Sequence, residues 1–211
     1  MSDAHYLHLG LPCRSIAATP TFNSFTLNEA ADRLEFIFQA PAGGGLVITR
    51  LGVRLATLNG TTPVYKISLQ GVDGSGRADG TIKGGGTPAS RQFSPTTLGW
   101  TAGNWYWITL DNSYSAASGE MLAMVVAFDS GTIDSANNAG FSTSISVGAS
   151  IGLPYGVTFD NATVTTSRLS GLPIFGFGSS ARAFGFPLKA VTSQNFNSGS
   201  SLNEYSVKVT L

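Results

Sequence analysis

Charge is what this sequence has least of. Asp, Glu, Lys and Arg make up 11% of its 211 residues, against roughly a quarter in an ordinary domain. Twelve basic and twelve acidic side chains cancel to a formal net charge of zero. That balance leaves no basic patch or stripe of the kind nucleic acid requires. A surface so poor in charge has little self-repulsion, which suits a molecule covered by its neighbours in an assembly; an extracellular β-domain would share the trait. Cysteine occurs once, at Cys13, which excludes an internal disulfide framework and a cysteine-built zinc cluster. The two histidines, His5 and His8, supply half a metal site at most, and ordinary imidazoles explain them equally well. The longest fully apolar run, 121–128, is far short of the roughly 20 residues that span a bilayer. The first dozen residues lack a charged start and an apolar stretch of adequate length. The expectation is therefore synthesis in a cytoplasm with no secretory signal and no membrane insertion. Helical periodicity is missing too: the best window, 27–33, allows two turns at most.

What the chain has is glycine, 26 residues of it, punctuating short alternating segments. Leu34, Phe36 and Phe38 share the expected inward face of a strand over 32–39, before the 41–45 break, Pro-Ala-Gly-Gly-Gly. Val47, Thr49, Leu51, Val53 and Leu55 share one expected face over 46–55, opposite Arg50 and Arg54. Tyr65, Ile67 and Leu69 alternate with Lys66, Ser68 and Gln70 after the Asn59-Gly60 turn. Later candidates lie at 141–147, 153–160 and 172–177. This is the pattern of antiparallel strands with one buried face. Strands at such spacing, with Gly, Pro and Asn turns, predict an all-β, antiparallel β-sandwich of jelly-roll type.

The organising stretch is 100–129, which holds all three tryptophans and reads as two strands joined by a polar loop into a hairpin. Its second strand is apolar at every position from 121 to 128, so it is expected to be central in a sheet, covered on both faces. In the first strand, Tyr106, Ile108 and Leu110 share a face, and Trp105 and Trp107 share the other. Two adjacent outward tryptophans can stack on a sugar ring, with Asp111, Asn112 and Tyr114 as polar partners; equally, they can cap a core or pack under a loop.

Other chemistry is sparse. The 72–80 segment carries Asp73 and Asp79 among glycines, a weak calcium candidate lacking the third carboxylate and the closing Glu of an EF-hand loop; Asp and Gly also simply make turns. The 84–86 glycines are not followed by a phosphate-loop lysine. No nucleophile elbow or zinc-protease motif occurs. Acid pairs such as Asp111 and Glu120, or Asp129 and Asp134, could in principle serve glycoside hydrolysis, but the acidic residues are few and loop-like. The expectation is no catalysis and no cofactor.

Phe22-Asn23-Ser24, then Leu27-Asn28-Glu29 and an alternating strand, is echoed by Phe196-Asn197-Ser198, then Leu202-Asn203-Glu204 and a second alternation to Leu211. Such an echo signals an internal repeat, or a chance likeness of turn residues. The expected organisation is an N-terminal arm at 1–18, a sandwich at 19–189, and at 190–211 either the start of a second repeat or a strand that pairs with a neighbour.

The segments 32–41, 67–81, 119–129 and 171–177, with the restart at 196–211, resemble jelly-roll modules of bacteriophage virion proteins, which themselves look like carbohydrate-binding modules. The resemblance implies a non-enzymatic structural protein of the virion, in a tail, a tail fibre or the capsid surface. Its partners would be copies of itself and other virion proteins, and a host-surface glycan under the alternative reading of a carbohydrate- or receptor-binding module. The resemblance transfers no catalytic residue.

Overall fold

In a computed structural model of the chain, residues 6–7, 22–40, 46–145, 156–160, 165–168, 172–173, 175–179, 183–185 and 207–208 are described. They form β1 (Tyr6–Leu7), β2 (Phe22–Leu27), β3 (Arg33–Gln39), β4 (Leu46–Asn59), β5 (Val64–Val72), β6 (Ala78–Ile82), β7 (Ser90–Phe93) and β8 (Trp105–Ala116). There follow β9 (Met121–Ser130), β10 (Asn138–Ile145), β11 (Gly156–Asp160), β12 (Thr165–Arg168), β13 (Leu172–Pro173), β14 (Gly176–Gly178), β15 (Ala183–Gly185) and β16 (Val207–Lys208). No helix occurs among the described residues. Short segments with inward apolar residues at every second position, broken by glycine-rich turns, satisfy their backbone by pairing strands rather than by coiling.

The strands build two antiparallel sheets packed face to face, a β-sandwich. In the first sheet β2 pairs β10, β10 pairs β4 and β4 pairs β8; β13, β14 and β15 extend it. In the second sheet the order is β12-β11-β3-β9-β5-β6, with β7 also on β5. The pairing is nested: β2 with β10, β3 with β9, β4 with β8, β5 with β7. Separately, β16 pairs antiparallel with β1 of the same chain. The 190–206 echo and the 1–5 and 8–18 parts of the expected arm lie outside the described residues, as does Cys13.

The space between the sheets is filled by apolar side chains from both, most of them the expected inward residues. Leu34, Phe36, Phe38, Tyr65, Ile67, Leu69, Leu122, Met124 and Val126 come from one sheet; Leu51, Val53, Leu55, Ile108, Leu110, Phe141, Phe175 and Phe177 come from the other. Phe38 stacks on Phe177 with ring centroids 4.1 Å apart, and Tyr65 meets Phe141 edge-on at 5.8 Å. Each such side chain, fully buried, contributes about 1.5–3 kcal/mol. Phe175 and Phe177 belong to the short β14 region, so this late segment is stapled into the core by its aromatics.

Two expectations need correction. The 100–129 segment is not a hairpin: β8 lies in the first sheet and β9 in the second, so the 117–120 turn crosses between layers. The apolar character of β9 on both faces explains this. It sits between β3 and β5, with Ala123 and Val125 on its outer face packed with Ile37 and Ala78 in a second cluster. Val47, expected inward, is 41% exposed. Ile48 pairs Tyr114 but Arg50 pairs Thr109, so Thr49 stands opposite the whole 110–113 segment. This bulge shifts the inward positions from Leu46 and Ile48 to Leu51, Val53 and Leu55.

Candidate functional site

The outward face of the first sheet is where the predicted tryptophans lie. On it, Arg50, Gly52 and Arg54 of β4 stand opposite Thr109, Trp107 and Trp105 of β8 as successive cross-strand pairs. β4 continues on its other side into β14, where Gly176 pairs Gly52 and Gly178 pairs Arg50. Trp107 lies across both glycines. A methyl group built on Gly52 would sit 3.2 Å from its ring, and one on Gly176 only 2.6 Å from its Cη2. Absence of side chains on two adjacent strands thus makes the floor on which the indole rests. The Arg50 guanidinium stacks over the same ring, 4.6 Å from its centroid, a cation–π contact. Burial holds the Arg50 and Arg54 guanidinium groups below the ordinary arginine range. Arg54 donates from Nη1 to Ser142 Oγ at 2.8 Å. Two nitrogens of Arg50, Nε and Nη2, are closed to solvent and have no acceptor.

The polar partners expected beside the tryptophans are placed elsewhere. Asp111 and Asn112 lie in the bulged part of β8, which leans onto the second sheet. Asp111 accepts from Arg91 of β7, and Asn112 donates to the Pro88 carbonyl at 3.3 Å. Tyr114 donates to Glu120 at 2.8 Å, and Glu120 pairs with Lys83 at 2.9 Å. These residues lace the two layers together along one edge of the sandwich. The third tryptophan, Trp100, caps the core: it stacks on Tyr106 at 4.1 Å and on Phe93 at 5.3 Å.

The acid pairs are similarly occupied. Asp129 meets Lys66 and Gln92, while Asp134 accepts from the Ala136 and Asn137 backbone N–H groups. Those bonds hold the Asp134 carboxyl below its usual range, the Ala136 N–H contributing most. Asp73 accepts from the Ser75 hydroxyl and N–H and from the Arg77 N–H, and Asp79 from the Thr81 N–H at 2.7 Å. Each therefore shapes its own turn. Among the described residues no three His, Cys, Asp or Glu side chains gather where a metal ion could be held.

Sequence reasoning missed Arg50 as a site residue. The available signal was its alternation with Gly52 and Arg54 on the face opposite the inward set; the second glycine of the floor is far away in the chain. No protein-family model, curated protein or solved structure matches this chain.

Proposed function

We propose that this chain is a non-enzymatic structural component of a bacteriophage particle, a jelly-roll brick that acts by associating with copies of itself and with other virion proteins. The nested pairing of β2 to β10 is that of a long hairpin rolled into two layers, which supports the jelly-roll part of the reading. The observation that carries the functional part is how the few charges are used. Five cations face carboxylates of the same chain: Lys66 with Asp129, Lys83 with Glu120, Arg91 with Asp111, Arg33 and Arg77 with Glu35. A sparse charge set spent on internal pairs leaves a neutral exterior, cheap to desolvate against a neighbour. It also leaves no carboxylate among these pairs free for acid–base work. The test is mass spectrometry of gradient-purified particles from the producing host. The chain is expected as a stoichiometric component; its absence from particles contradicts the proposal.

A second reading is favoured by the outward face of the first sheet. Trp105 and Trp107 stand side by side there with two arginines, an arrangement suited to holding a sugar chain on the particle's exterior. This glycan-binding role is compatible with the structural one and stands or falls separately.

A further inference from the structure

We infer that the outward face of the first sheet around Arg50 and Trp107 binds a carboxylate-bearing polysaccharide, a uronate chain. The inference deepens the glycan reading above and rests on it. Its starting point is the acceptor deficit of Arg50. Nε and Nη2 form the side-on fork of a guanidinium, two parallel N–H groups matched to the two oxygens of one carboxylate. In this structure both are shut away from solvent with no acceptor. Leaving buried donors unmatched costs about 1–3 kcal/mol each, and one carboxylate reaching the fork satisfies both N–H groups at once.

The surroundings select the sign and the class of ligand. Across the described strands of the first sheet there are two arginines, Arg50 and Arg54, and one carboxylate, Asp111, which is already bonded to Arg91 in the other sheet. The face is therefore locally positive on a chain of zero net charge, and complementary to an anionic polymer. The glycine floor holds Trp107 flat under Arg50, and Trp105 follows two residues along on the same face. A flat indole beside a carboxylate fork suits a ring that carries both C–H faces and a carboxylate, which is what a uronate residue is.

The test is calorimetric titration of the full chain with a galacturonate or mannuronate oligosaccharide and with its fully methyl-esterified, uncharged counterpart. Polyglutamate serves as a non-sugar polyanion. Wild type, Arg50→Gln and Arg50→Lys are compared, each checked for an unchanged melting curve. The expected result is binding of the acid saccharide, at least about tenfold weaker binding of the ester, and a loss of about tenfold or more in both variants, the lysine variant included because it lacks the fork. Equal binding of acid and ester overturns this inference and leaves the glycan reading standing. No binding of either saccharide overturns both. Polyglutamate binding as tight as the uronate, or uronate binding indifferent to Arg50→Gln, also overturns the inference.

Discussion

The indole of Trp107 lies over Gly176, close enough that a methyl group there would meet Cη2 at 2.6 Å. The two residues are on strands separated by β4, so the contact reports the lateral order β8-β4-β14 directly. Gly176→Ala must lift the ring off its floor, and overpacking of this kind costs about 1–3 kcal/mol. Because the obstacle is the ring, the penalty should largely vanish in a Trp107→Ala background. Thermal denaturation of the two single variants and the double variant forms the cycle; additive losses would contradict the packing.

Tyr65 crosses the core with its hydroxyl. It donates to the Leu27 carbonyl at 3.3 Å and accepts from the Ala139 N–H at 2.8 Å, tying β5 of one sheet to β2 and β10 of the other. Burial pushes this phenol up to about 12. Tyr65→Phe leaves two buried backbone groups short of a partner, and urea unfolding should show a loss of about 1–3 kcal/mol. An unchanged midpoint would remove this tie from the account.

Glu35 is fully buried on the outer face of the second sheet, between Arg33 at 2.8 Å and Arg77 at 3.0 Å, and it also accepts from the Ala78 N–H at 3.2 Å. It holds the β5–β6 turn down over β9. Arg77→Ala withdraws one cation from a buried carboxylate and is expected to cost up to about 3 kcal/mol. Limited proteolysis should then cut within 73–77 before any other described turn. Cutting elsewhere first, at wild-type rates, would contradict the latch.

The Lys83–Glu120 pair predicts a pH dependence. Burial pushes the Glu120 carboxyl up, but the Ala117 N–H, Lys83 and Tyr114 together hold it below the usual range; its hydrogen bond to Glu120 raises Lys83. A depressed carboxylate stabilises above its unfolded value, about 4.3, and loses the effect as pH falls through the folded value. A raised amine stabilises below about 10.4 and loses the effect as pH rises through its folded value. The gap in urea midpoint between wild type and Lys83→Met should therefore be flat from about pH 6 to 9 and close on acidification. With both partners partly exposed it stays under about 1 kcal/mol. A gap that widens in acid would contradict the pairing.

The local part of the architecture was legible because it is written at period two. Phe36, Phe38, Tyr65 and Ile67 alternate inward as read, and the two-sided apolar run of β9 does place it centrally. What escaped was non-local. Nothing near Trp107 signals that its floor includes Gly176, and nothing near Asp111 signals Arg91 as its partner. The bulge at Thr49, which turns Val47 outward, comes from the extra length of β8 between Thr109 and Tyr114, a mismatch visible only once the two strands are paired. The β8–β9 connection resembled a hairpin because loop composition does not record whether a turn stays in one sheet or crosses to the other.

Sedimentation velocity of the purified full chain over a range of concentrations decides whether this exterior is covered by other copies. A neutral exterior meant to be covered predicts a closed oligomer, of one size, that persists on dilution into the micromolar range. A monomer at every concentration would contradict it.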